Sequence, residues 1–183
     1  MRKTTAMTLS ALFAALTAAG AFIRIPMPVS SFTLQVFFTG LAGCLLGSRW
    51  GAVSQSIYVL LGLLGLPIFT SGGGLGALFH PTGGFLLGMI AMAWVTGTVT
   101  RRRGYGFWNV FLACMAGLGA LYAIGLPWMH VIMNIYHDWS VSQTIVSGML
   151  IFLPADLLKA VLTGALCTRL APHYCIDRTG GCQ

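Results

Sequence analysis

Residues 83–126 read GGFLLGMIAMAWVTGTVTRRRGYGFWNVFLACMAGLGALYAIGL. Two long apolar runs, Gly83–Thr100 and Trp108–Leu126, flank Arg101, Arg102, Arg103 and Gly104. Each run is about as long as the ~20 apolar residues a helix needs to cross the hydrocarbon of a bilayer. A cationic cluster between them is the signature of a connection left on the cytoplasmic side. The pattern predicts two transmembrane helices joined by an inner turn.

The same reading extends outward in both directions. Apolar segments occupy approximately Thr5–Ile23, Thr33–Leu46, Ala52–Leu66 and Ser142–Leu170, which makes six in all. No two-residue alternation suggests barrel strands, so helices must satisfy the backbone in lipid. The breaks are Pro26 and Pro28, the turn Gly47–Gly51, a glycine-rich loop from Pro67 to Gly84, the arginine cluster, and a polar connection from Pro127 to Ser140. Composition agrees: of 183 residues 57% are hydrophobic and 7% charged, against roughly 25% charged in a soluble domain. The expected fold is all-α, a single polytopic membrane domain over residues 1–183. The N-terminal basic pair followed by an alanine-rich run resembles a signal peptide, but the run is long enough to span and equally apolar runs follow, so it reads as the first membrane helix.

Orientation follows from the basic residues. With the N-terminus inside, Arg2, Lys3, Arg49, Arg101, Arg102, Arg103, Arg169 and Arg178 fall on the cytoplasmic side, Arg24 alone outside, and Lys159 within the sixth segment. This bias predicts six crossings with both termini cytoplasmic in a plasma membrane. The glycine-rich loop and the connection after Pro127 then face outward. The net charge of +7 does not indicate nucleic acid, because the basic residues are scattered between apolar segments.

Asp156 and Lys159 are the chemically informative pair. Ionisable groups inside a membrane helix are costly and are functional candidates by default. At a spacing of three they share a face, so they form either a structural ion pair or a ligand site, or both. The outward loop, with Ser71, Gly72, Gly73, Gly74, Phe79, His80 and Thr82, is either a connector or an anion-binding concavity of backbone N–H groups. Tyr122 and Trp128 flank the outer end of the fifth segment and are placed to line a pocket or to anchor at the interface. Ala11, Ala15 and Ala19 form a small-residue stripe that serves packing within the bundle or docking of a partner. Cys44, Cys114 and Cys167 read as small apolar residues. Cys175 and Cys182, with His173 nearby, match no familiar metal-ligand spacing. His130 and His137 are expected in the solvated connection. Only three acidic residues exist, Asp138, Asp156 and Asp177. With no paired carboxylates, nucleophile elbow or ATP-binding loop, neither catalysis nor self-powered pumping is expected.

Taken together, several motifs resemble one family: ALFAAL at 11–16, FTLQ at 32–35, Tyr58 with LGLLGLPIF at 61–69, GGLGAL at 73–78, PTGGF at 81–85, GLPW at 125–128 and FLPADLLKA at 152–160. In this order the chain resembles BioY, the biotin-specific S component of energy-coupling-factor (ECF) transporters. It departs from the family where Ala155 and His80 stand in place of frequent glycines. The resemblance implies an ECF S-component-like six-helix bundle that captures biotin near the outer face. Its partners would be biotin, a transmembrane T component, two ATPase subunits and membrane lipid, with no cofactor or metal. It further implies that Ala11, Ala15 and Ala19 belong to the face that meets the T component. Asp156 and Lys159 would take the ureido end of biotin, and loop N–H groups about Gly73 and Gly74, with Ser71 or Thr82, its carboxylate. Phe79, Phe85, Tyr122 and Trp128 would supply apolar walls. An S component for another vitamin, or a solitary carrier coupled through Asp156, are the alternatives.

Overall fold

The computed structural model describes residues 3–26 and 31–174. Arg2, Pro28, Arg178, and the tail thiols Cys175 and Cys182 lie outside the described residues. Helix α1 (Lys3–Phe22) leads into a short antiparallel hairpin, β1 (Arg24–Pro26) and β2 (Ser31–Thr33). Then follow α2 (Gln35–Leu63), a loop containing a 3₁₀ turn (Leu75–Phe79), α3 (Gly83–Arg103), α4 (Phe107–His137), α5 (Val141–Ile145), a π turn (Val146–Leu150) and α6 (Leu153–Tyr174). Apart from the hairpin, the architecture is helical, as composition dictates.

Five stretches are long and apolar enough to cross a bilayer: Lys3–Phe22, Gln35–Leu63, Gly83–Arg103, Phe107–His137 and Val141–Ala171. The sequence reading counted six. The difference lies at Gly47–Gly51, read as a loop between two segments, where helix runs on after a single-residue reversal. Gly47 adopts φ 79° and ψ 177°, a conformation open to glycine because it carries no Cβ. The two arms of α2 therefore double back on each other. Gln35 Nε2 donates to Tyr58 Oη at 2.6 Å and Thr39 Oγ1 to Gln55 Oε1 at 3.2 Å, whereas a straight helix would hold residues 35 and 58 about 35 Å apart.

α3 crosses directly over this reversal. A Cβ built on Gly97 would lie 2.4 Å from the Ser48 nitrogen, and one on Gly43 2.6 Å from the Ala93 carbonyl oxygen. Glycine on both helices lets the backbones touch, the common device where lipid supplies no hydrophobic drive between helices. α4 packs on the far side of α3, and α6 against α2 and α4. α1 is tied to both arms of α2 by side chains that are wholly buried: Gln55 Nε2 donates to Thr17 Oγ1 at 3.2 Å while its carbonyl accepts from Thr39. Such interhelical bonds contribute about 0.6 kcal/mol on average in membranes. Cys44, Cys114 and Cys167 are buried, each within the same apolar cluster as Leu46 and Val110.

A second correction concerns Pro127. The sequence reading ended the fifth segment there and made 127–140 a polar connection. The structure carries α4 through Pro127 to His137, with Asp138 in the left-handed cap position. Proline costs the helix one backbone hydrogen bond, but the residues beyond it, among them Met129, Val131, Ile132 and Met133, are apolar, and continuing the helix pairs their backbone groups. His130 is accordingly on a helix, bonded through Nδ1 to Thr144 Oγ1 at 3.1 Å.

The Gly97–Ser48 approach generates a prediction. Gly97→Ala places a methyl against backbone that cannot yield and is expected to destabilise the detergent-solubilised protein by about 1–3 kcal/mol. Gly119→Ala, with nothing within 4 Å of the added Cβ, is expected to leave the thermal midpoint unchanged or raise it. Thermal unfolding of the two variants beside the parent checks this.

Candidate functional site

A cavity opens at the end of the bundle that carries the β hairpin and the glycine-rich loop. About 90 Å³ of it admits the centre of a water-sized sphere, several times what one water needs. Its wall from α6 holds Asp156 and Lys159, 4% and 9% exposed. Asp156 falls midway along the apolar stretch Val141–Ala171. Lys159 Nζ donates to Asp156 Oδ1 at 2.8 Å, and Tyr122 Oη of α4 donates to Asp156 Oδ2 at 2.6 Å. Each carboxylate oxygen thus has a donor and keeps lone-pair capacity, while the ammonium keeps donor capacity for a ligand.

The π turn helps to shape this wall. A π turn is a one-residue widening, often found at functional sites. Here it brings Gly148 to the cavity lining and against Leu126 and Met129 of α4; a Cβ on Gly148 would come within 2.9 Å of both side chains. Phe152 follows and stacks on Phe32 of the hairpin with ring centroids 4.6 Å apart. Phe85 of α3 meets Tyr122 edge to face. Together with Phe69, Met89 and Leu121 these rings and chains make most of the lining apolar, as is usual where a few polar groups fix a small molecule.

A second polar group in the lining, on the hairpin and α2, was not expected from the sequence. Gln35 is buried; it accepts from Thr33 Oγ1 at 2.9 Å and donates to Tyr58 Oη. Tyr58 in turn donates to the Ile68 carbonyl at 3.1 Å. Gln35, Thr33 and Ser31 line the cavity. The motif FTLQ was singled out in the sequence, but which of its side chains faces inward depends on the reversal of α2. The sequence signal that marks Gln35 is an amide at the start of the apolar run that follows the hairpin.

The loop contributes Thr70, Ser71 and Thr82 to the rim of the lining. Arg24 of β1 donates through Nη1 to the Thr70 carbonyl, joining hairpin and loop. His80 Nδ1 lies 2.8 Å from Thr82 Oγ1, and partial burial holds the imidazole below its ordinary pKa.

Of the residues singled out in the sequence, Asp156, Lys159, Ser71, Thr82, Phe85 and Tyr122 line one cavity. Gly73, Gly74, Phe79 and Trp128 do not. The Gly74 N–H donates to the Gly62 carbonyl at 2.8 Å and the Gly72 N–H to the Phe69 carbonyl. A Cβ on Gly73 would lie 2.3 Å from the Leu66 oxygen. These glycines fold the loop upon itself, and the N–H groups of Gly72 and Gly74 are spent on those carbonyls. Phe79 is 70% exposed. Trp128 donates Nε1–H to the Leu78 carbonyl at 3.0 Å and lies on Gly84, clamping the 3₁₀ turn onto α4. Among the described residues no group of three or more His, Cys, Asp or Glu is arranged to hold a metal.

Known proteins resemble this chain over nearly its full length. A crystal structure of the S-component for biotin from an ECF-type ABC transporter superposes with a TM-score of 0.82 at 25% identity, covering 93% of each chain. The biotin transporter BioY of Thermotoga maritima is 40% identical over 162 residues, 87% of this chain and 91% of that protein. The probable biotin transporter BioY of Lysinibacillus sphaericus is 40% identical over 172 residues, 92% and 88% respectively. The family model described as the BioY family matches residues 1–175, and this chain belongs to that family.

Proposed function

We propose that this protein is the membrane subunit that binds biotin from outside the cell for uptake. It is a transporter component, not an enzyme. The observation that carries the reading is the buried Tyr122–Asp156–Lys159 group in a mostly apolar cavity of a BioY-family chain.

Biotin offers a ureido ring with two N–H donors and one carbonyl, an apolar thioether ring, and a valerate carboxylate. Asp156 accepts from a ureido N–H, and Lys159 donates to the ureido carbonyl while holding Asp156. Tyr122 fixes the second carboxylate oxygen, so the acceptor is oriented before ligand arrives. The two α6 groups, three residues apart, serve one end of the ligand. The chain of biotin then runs past Phe85 and Tyr122, and its carboxylate lies toward Ser71 and Thr82 at the rim. Gly73, Gly74, Phe79 and Trp128 act on loop shape instead of touching ligand.

The arms of α2 count as two crossings, which makes six and returns both termini to the cytoplasm. Supporting this are their antiparallel course and the position of Arg101, Arg102 and Arg103 at the end of α3. Energy comes from a T component and two ATPases. On α1 the buried line is Phe13, Ala14 and Thr17, while Ala11, Ala15 and Ala19 are exposed. The exposed stripe is not used in packing within the chain and is the face offered to the T component.

Three outcomes are expected. Calorimetric titration of biotin into the detergent-purified protein gives one-to-one binding, weakened about 10–100-fold in Asp156→Asn, the loss of a hydrogen bond to a charged group. No heat at micromolar biotin with the parent still folded would overturn the assignment. Lys159→Ala loses equal affinity for biotin and for its carboxyl amide; a loss confined to free biotin would move Lys159 to the carboxylate. Ala15→Trp keeps biotin binding by the isolated chain but fails to co-purify with T component and ATPases; undiminished co-purification would remove the stripe from the docking face.

A further inference from the structure

The charges of the cavity leave one end of the ligand unmatched. Asp156 and Lys159 are bonded to each other at 2.8 Å, so the buried wall is neutral as a unit. It suits a neutral ureido ring and gives no net attraction to an anion. Ser71 and Thr82 offer hydroxyls, and the Gly72 and Gly74 N–H groups are bonded to the Phe69 and Gly62 carbonyls. A ligand with a single carboxylate therefore needs a cation at the rim.

Arg24 is placed there by two independent connections. Across the hairpin it stands opposite Thr33, which lines the cavity. Through its guanidinium it reaches Thr70, which lines the cavity from the other side. Arg24 itself is not part of the cavity lining, but it is joined to a lining residue on the hairpin and to another on the loop. Its hydrogen-bond acceptor is a neutral carbonyl, so the positive charge is unmatched by any carboxylate among the described residues. The only described acids are Asp138, at the cap of α4, and Asp156, which Lys159 holds. A guanidinium has five donors in a planar fork that fits a carboxylate side-on.

We propose that Arg24 is a specificity-determining residue that recognises the carboxylate of the ligand at the mouth of the cavity. The inference rests on the biotin reading above. Arg24 is exposed, so the attraction is screened by salt, and it discriminates between charged and neutral ligands more than it adds raw affinity.

The test compares biotin with its carboxyl amide on the parent, Arg24→Gln and Arg24→Lys in nonionic detergent, at low and high salt. Glutamine keeps a donor for the Thr70 carbonyl but no charge; lysine keeps charge but no fork. The parent is expected to prefer biotin over the amide by about tenfold at low salt, less at high salt. Arg24→Gln weakens biotin to the level of the amide, leaves the amide unchanged and loses the salt dependence. Arg24→Lys retains part of the preference. Equal weakening of both ligands in Arg24→Gln would make Arg24 a tether for the loop and overturn the proposal, as would no change for either. If the parent binds neither ligand while folded, the biotin reading itself fails; if it binds both and only the Arg24 variants are silent, the biotin reading stands and this proposal alone falls.

Discussion

A carboxylate and an ammonium held within the apolar stretch Val141–Ala171 set the terms for everything around them. Neither charge is stable alone in hydrocarbon; estimates begin at about 2.5 kcal/mol each and rise steeply. Their bond to each other offsets part of that cost, and the Tyr122 hydroxyl supplies a second donor to Asp156. A pair so arranged is weak evidence of stability, because apolar residues of similar volume often serve a fold as well. It is a better sign of a polar ligand. The surrounding apolar rings keep water from competing for the same lone pairs, and the π turn and Gly148 leave room beside the pair.

The polar group on the hairpin and α2 has its own logic. Gln35 is oriented at both ends, by Thr33 and by Tyr58, and Tyr58 is oriented by the Ile68 carbonyl. A chain of bonds thus runs from the hairpin through both arms of α2 to the loop. Tyr58 also meets Phe69 edge to face at 5.4 Å. The loop that rims the cavity is therefore attached to the bundle floor by named contacts, and Trp128 attaches its far end. Its glycines serve these attachments. What looks in the sequence like a flexible cradle is a folded piece in which the N–H groups of Gly72 and Gly74 are committed.

Much of this was legible in the residues, and the limits have physical causes. The membrane class followed from composition, and helix borders from runs of apolar residues; α3 was expected at Gly83–Thr100 and ends at Arg103. Asp156 and Lys159 announced themselves because charge in an apolar run has few explanations. Met89 and Leu121 did not, since an inward face in an apolar run has no polar face to define it by contrast, and Gln35 is only one of several polar residues along α2. Pro127 misled because proline ends helices in water more readily than in lipid, where an unsatisfied backbone costs more than a kink. With it went the setting of Trp128. Gly47 misled in the other direction: a cluster of glycines with Arg49 and Trp50 reads as a loop, yet one glycine suffices for the reversal.

That reversal bears on how the protein comes to be built. The two arms of α2 emerge consecutively during synthesis, separated by almost nothing. Thr39 can reach Gln55, and Gln35 can reach Tyr58, before α3 has been made. Four polar side chains that would each resist entering lipid alone can enter as a hydrogen-bonded hairpin, with Thr17 of α1 already present to accept an amide proton of Gln55. The order of residues along the chain thus places these four side chains beside their partners early, and α3 closes over a turn that is already complete.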